Sequence, residues 1–186
     1  MTLTKALQTS LCVGLVRTGY RPDDFEGVIL KLSSSWCLVA SLDSLDSDGY
    51  WIIRRDTICH VRYTRIEAFR HGILLANGAI SRLRLPRGID ITTTDSLMAS
   101  LVSQRRYAII YRDTETEWWS LHAAILRQER SGLLLHGFDG AGRFESRVRQ
   151  YPIAQITCIR LGSRYLREYQ SAVPYDYDRQ SPVPVA

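Results

Sequence analysis

VILKLSSSWCLVASLD, Val28 to Asp43, and AILRQERSGLLLHGFD, Ala124 to Asp139, superimpose without a gap at an offset of 96 residues. In each, an apolar stretch is followed by a polar turn and a second apolar stretch ending in Asp. Working outward at the same offset, CVGLV at 12–16 meets AIIYR at 108–112. After two residues inserted in the second copy, TICHVRY at 57–63 meets QITCIRL at 155–161, with Arg62 over Arg160. Identity is low, but apolar spacing and turn positions agree, and a tandem duplication is the economical explanation.

Each copy reads as a short helix followed by five short strands. Thr94 or Asp95 supplies an N-cap ahead of Leu97, Met98, Leu101 and Val102 at helical spacing, and Leu3, Ala6 and Leu7 give a weaker version in the first copy. The strands expected of the first copy are 12–17, 25–32, 36–42, 50–54 and 58–63; those of the second are 107–112, 118–126, 133–138, 143–148 and 156–161. Turn residues separate them, among them Ser33-Ser34-Ser35, Asp48-Gly49 and Asp139-Gly140-Ala141-Gly142. An open five-stranded sheet would leave bare edges, so each copy is expected to close into a small barrel. The organisation expected is a helix-plus-barrel repeat over 1–64, a linker over 65–93, a second repeat over 94–169 and a flexible tail over 170–186. Within the linker Ile66, Phe69, Ile73 and Leu74 share a helical face, Asn77-Gly78 stops the helix, and 79–93 read as extended.

The residues FEGVILKLSSSWCLVASLD and SDGYWIIRRDTICHV, and more loosely SLHAAILRQERSGLLLHGFD with YPIAQITCIR, resemble the Sm-like branch of the SH3-like small barrels. The shared features are a leading helix, Gly27 at the bend of the second strand, an acidic-glycine turn before the fourth and a short Ile-containing turn into the fifth. The resemblance implies a mainly β fold of two tandem five-stranded barrels joined by a helical and extended linker. It specifies no activity. The RNA-reading loops of Sm proteins are missing: Leu42-Asp43-Ser44 and Phe138-Asp139-Gly140 supply Asp without Asn, and no glycine follows Arg62 or Arg160.

The chain of 186 residues carries a formal charge of +5, and with Lys5 and Lys31 the only lysines the basic balance is arginine. Eight arginines between 54 and 87 face only Asp56 and Glu67 in sequence. That stretch is the feature an RNA-binding reading would use, with weak and sequence-indifferent contacts to phosphate. No phosphate-cradling glycine loop, nucleophile elbow or zinc spacing occurs, and the four histidines are scattered. Asp43, Asp46 and Asp48 lack the calcium-loop spacing and read as a solvated hairpin. No catalytic, metal or cofactor set is therefore expected. Cys12, Cys37, Cys59 and Cys158 show no CxxC pair, the N-terminal apolar run is too short for a signal peptide, and no segment is long enough to span a membrane, so a cytoplasmic free-thiol protein is expected.

The function expected is a non-catalytic protein-binding module, such as a bacterial immunity protein that occludes a toxin, with RNA binding as the alternative. Candidate partner contacts are Trp118 and Trp119, neighbours that point to opposite faces of a strand, and Arg54, Arg55, Arg62 and Arg65 of the basic stretch. Strand alternation counted back from Lys31 and Arg127 places Val28 and Leu30, with Ala124 and Leu126, inside. It turns Ile29 and Ile125 outward, where they are expected to pack the repeats together.

Overall fold

The computed structural model describes residues 1–17, 25–43, 46–113, 118–130 and 132–177. Helix α1 (Leu3–Thr9) leads strands β1 (Cys12–Arg17), β2 (Phe25–Leu32), β3 (Trp36–Asp43), β4 (Asp46–Arg54) and β5 (Ile58–Arg62), with a 3-10 turn at Arg55–Thr57 between the last two. Helices α2 (Arg65–Ala76) and α3 (Ala79–Arg82) follow. The second repeat runs from α4 (Thr94–Ser103) through β6 (Tyr107–Asp113), β7 (Trp118–Gln128), β8 (Gly132–Gly137), β9 (Arg149–Pro152), a 3-10 turn at Ile153–Gln155 and β10 (Cys158–Leu161) to α5 (Arg164–Ala172).

The ten strands form one antiparallel sheet in the order β5-β1-β2-β3-β4-β10-β6-β7-β8-β9. Each repeat contributes the same internal order, fifth-first-second-third-fourth, and the fourth strand of one pairs with the fifth of the other. The expectation of two separately closed barrels is corrected here: the sheet is open. Strand edges need cover, and β4 and β10 cover each other through the pairs Cys158↔Ile53 to Leu161↔Tyr50 without closing a barrel.

The duplication is visible in the registers. Ile29 opposes Val39 as Ile125 opposes Leu135, and Cys37 opposes Ile53 as Leu133 opposes Tyr151. In the first strands the match is one residue from the sequence superposition. Cys12 opposes Val28 where Tyr107 opposes Ala124, so Tyr107 rather than Ala108 is the counterpart of Cys12. The left-handed residues that end the leading helices, Ser10 and Arg105, keep that same spacing.

A second correction concerns facing. Both second strands shift register at the same place, between Ile29 and Lys31 and between Ile125 and Arg127. A bulge of one residue reverses every side chain beyond it. Counting back from Lys31 therefore inverts inside and outside. Ile29 lies in the core of its own repeat with Val13, Leu15, Val39 and Val61, whereas Ile125 lies in the other core with Leu97, Leu101 and Leu133. The two isoleucines do not meet. Val28 and Ala124 instead lie under helices, Val28 with Leu74 and Ala79, and Ala124 with Leu166 and Phe138.

What joins the repeats is the middle of the sheet, where both faces are buried. Along β3, β4 and β10 neighbouring residues enter opposite cores: Cys37 and Leu38, Ile53 and Ile52, Cys158 and Ile159. This explains the uninterrupted apolar runs of these strands, which a sheet with one solvated face would not show. Gly27 is required by closeness, since a Cβ there would lie 2.1 Å from the carbonyl oxygen of Ala40.

Of the tail expected to be flexible over 170–186, residues 170–177 are structured, and 178–186 lie outside the described residues. Helix α5 continues to Ala172, Tyr107 donates to the carbonyl of Val173, and Tyr175 and Tyr177 pack on the cluster of Tyr107, Phe138 and Leu166. The second half of the linker, expected to be extended, contains the single turn α3 and then runs without strand through a turn at Arg87 and Gly88. Strand β9 lies at 149–152, beyond the 143–148 read from sequence; Asp139 holds the turn ahead of it by accepting from the N–H groups of Ala141 and Arg143, both at 2.9 Å, and Phe144 makes only an isolated bridge to Phe138.

Candidate docking surface

Helix α2 is fixed by its inner face. Thr64 caps it, accepting from the N–H of Ile66 at 3.2 Å, while Glu67 reaches back to accept from the Thr64 N–H and hydroxyl, each at 2.6 Å. This reciprocal pattern satisfies donors that a helix start leaves orphaned. The same carboxylate accepts from Arg62 Nε at 2.7 Å, and Glu26 on β2 pairs with both Arg62 and Arg70. Burial of Glu67 opposes its charge, but the Thr64 hydroxyl, the Arg62 guanidinium and the Thr64 amide outweigh it and hold the carboxyl down to about 2. Further along, His71 Nδ1 accepts from the N–H of Cys12 at 3.3 Å, and Leu74 is buried against Cys12, Val28 and Ala79.

With Glu67, His71 and Leu74 inward, the helical period sends Ile66, Phe69 and Ile73 outward. Ile66 is 61% and Phe69 71% exposed, and with Arg65, Arg70 and Ile73 they line a shallow groove. A second groove is lined by Met1, Lys5, Leu11 and His60 to Thr64 along β5. Strand β5 is one end of the sheet. Among the described residues it pairs only with β1, and Cys59 and His60 are exposed. An apolar helical stripe beside an open strand edge is a surface that can take an apolar polypeptide.

Of the residues singled out in the sequence, Arg62 and Arg65 border this surface. Arg54 and Arg55 lie beyond the other end of β5, where Arg54 donates to Asp56 and to the carbonyl of Ala154 and Arg55 donates to the carbonyl of Ser33. Trp118 and Trp119 open β7 opposite Asp113 and Arg112; their side chains lie outside the described residues. Ile66, Phe69 and Ile73 were legible as a helical stripe, but Leu74, grouped with them in the sequence, faces the other way.

The basic stretch is not one positive face. Arg54, Arg62 and Arg70 pair with carboxylates, and Arg82 and Arg84 donate to backbone carbonyls. The counterpart Arg160 is also paired, with Asp48 at 2.5 Å, and its guanidinium lies over the Trp51 ring. Burial pushes the thiols of Cys12 and Cys37 up to about 11 and about 12, which keeps them unreactive. Among the described residues no group of His, Cys, Asp or Glu is arranged to hold a metal, and no helix is long and apolar enough to cross a membrane. Comparison with protein families, with curated proteins and with solved structures finds no match to this chain.

Proposed function

We propose that the chain is a non-catalytic protein-binding module that docks a partner through the outer face of α2 and the adjoining edge of β5. The observation that carries this reading is the apolar stripe of exposed Ile66 and Phe69 with half-buried Ile73, on a helix whose inner face is anchored. Large exposed apolar side chains on a well-anchored element suit the buried centre of an interface. The same residues do not suit phosphate, and the pairing of Arg54, Arg62 and Arg70 with carboxylates weighs against the RNA-binding alternative.

We also read each repeat as a derivative of the Sm-like small barrel. Support comes from the leading helix, the repeated strand order and the 3-10 turn between fourth and fifth strands in both copies. An immunity protein that occludes a toxin is the narrower form of the function, with the α2 face as the occluding surface.

The test is a photo-crosslinking residue placed at position 69 in producing cells, with position 85, also exposed, as the control. A discrete protein adduct at 69 and none at 85 supports the reading. A nucleic-acid adduct at 69, or no adduct, overturns it.

A further inference from the structure

The two repeats place equivalent strands in different company. Strand β10, counterpart of β5, is covered on its outer side by β4; β5 has no such cover among the described residues. We propose that the β5 edge accepts an extended segment of a different protein as an added antiparallel strand, with apolar residues at successive positions as in β4 and an acidic residue ahead of them. This rests on the protein-binding reading above and names the partner's chemistry.

The internal junction shows what such an edge receives. Tyr50, Trp51, Ile52 and Ile53 run antiparallel to β10, and Asp48, two residues ahead of them, accepts from Arg160 and from the Arg164 N–H at the start of α5, at 2.5 and 2.6 Å. At the open edge Arg62 stands where Arg160 stands, and α2 begins at exposed Arg65 as α5 begins at Arg164. Arg62 is already engaged by Glu67 and Glu26, so an acidic residue on the incoming strand would meet exposed Arg65 at this corner. Its apolar side chains would extend the stripe of Ile66 and Phe69.

A second copy of this chain is the wrong occupant. Its fourth strand, β9, which pairs only with β8 among the described residues, carries Arg149 where β4 has Trp51 and Pro152 where β4 has Arg54, and Ser146 replaces Asp48. Head-to-tail pairing would set Arg149 opposite Arg62, as Trp51 is opposite Arg160. The junction bond from the Arg54 N–H to the carbonyl of Thr157, 2.9 Å, has no equivalent, because proline lacks the donor. Like charges directly opposite and proline on an edge strand both discourage pairing.

The probe is a capped peptide with the sequence of β4, DSDGYWIIR, titrated into the isotope-labelled full-length chain. The expected result is saturable binding with Kd on the order of 100 µM, amide shifts confined to residues 58–70, and loss of binding when alternate peptide amides are N-methylated. Replacing the third peptide residue, Asp, by Asn, or Arg65→Ala in the protein, should each weaken binding about threefold to tenfold at low salt. No binding at millimolar peptide, binding that survives N-methylation, or shifts centred on 50–53 and 158–161 overturns the proposal. Concentration-dependent dimers of the chain alone, in sedimentation, would identify a second copy as the occupant and also overturn it. A peptide failure alongside a protein adduct at position 69 removes strand addition and leaves the docking reading standing; failure of both removes both.

Discussion

Helices α2 and α5 follow the fifth strand of their repeats and cover equivalent patches of the sheet, α2 over Cys12 and Val28 and α5 over Tyr107 and Ala124, yet they present unlike faces to water. On α5 the apolar residues are consumed: Leu166 is buried, Tyr169 stacks on Phe138, and Tyr165 bonds His122 at 2.9 Å, leaving Arg164, Arg167 and Glu168 exposed. On α2 a buried carboxylate and a single leucine do the anchoring, and two of the largest apolar side chains are outside. The strands differ in the same sense, since both cores bury β10 residues while β5 is half uncovered. Where the repeats meet, surface has been converted to core. At the free end of repeat one it has not, and that is where the proposed partner would dock.

The sharpest way to break this comparison is to truncate equivalent residues in the two fifth strands. Ile159 is buried between Ile52 and Ile110, whereas among the described residues Val61 pairs only with Leu15. Ile159→Ala should cost about 3–5 kcal/mol in denaturant unfolding. Val61→Ala, two methyl groups smaller, should cost about 1.6 kcal/mol. The wild type should unfold in one transition because the cores interleave at β3, β4 and β10. Two resolved transitions, or equal costs at the two positions, would show the junction to be weaker than its packing implies.

The equivalent arginines give the next test. Arg62 is held by Glu67 of its own repeat, and Arg160 by Asp48 of the other. Glu67→Gln removes a charge-assisted bond beneath α2 and should cost about 2 kcal/mol. Its carboxyl is lowered from 4.5 to about 2 by folding, so the unfolded state binds the proton more readily. The contribution is therefore present above pH 4.5 and is lost as pH falls toward 2. Acid titration of stability should flatten across that window in Glu67→Gln. An unchanged acid limb would separate the carboxylate from α2 docking.

The repeat, nine of the ten strand positions and the apolar stripe of α2 were legible in sequence, because each rests on local spacing. The bulge at Leu30 and Leu126 was not, since an extra residue leaves composition and apolar density untouched while reversing the faces. The open sheet was hidden for a related reason: whether an edge is closed or paired depends on residues some hundred positions away. Its trace was present in the unbroken runs WCLVA and YWII, which mark strands buried on both sides. Helix α5 was not read from sequence, although Tyr165, Leu166 and Tyr169 behind Ser163 carry a capped helical pattern.

Histidines on the two covers titrate in the same direction and test whether the covers are alike. His71 under α2 and His122 beside α5 both lie below their ordinary value of 6.5 because burial disfavours the charged ring. The unfolded chain binds these protons first. Their contribution to stability is present above about pH 6.5 and declines as pH falls through the lowered values. His71 also loses its role as acceptor for the Cys12 N–H when protonated. Melting temperature should fall between pH 7 and 5, by less in His71→Gln and His122→Gln; a flat profile would mean that neither helix is held through its histidine.

The smallest stability effect is the one that separates docking from folding. Phe69→Ser removes an aromatic ring that is 71% exposed, and a substitution at such a site should change stability by no more than about 0.5 kcal/mol. Leu74→Ala, one turn on and buried against β1 and β2, should cost about 2–5 kcal/mol. The pair shares a helix, so the contrast reports facing rather than helix propensity. On α5 the same substitution at Tyr165 removes a hydrogen bond to His122 and ring contacts with Tyr169, and should be felt at about 1–3 kcal/mol. If Phe69→Ser proves as costly as Tyr165→Ser, then α2 covers and is covered like its counterpart, the exposed stripe is an intramolecular contact, and the case for a partner there falls. A thermally silent Phe69→Ser that also loses the protein adduct formed nearby, from a crosslinker moved to position 66, is the signature of a side chain kept for binding.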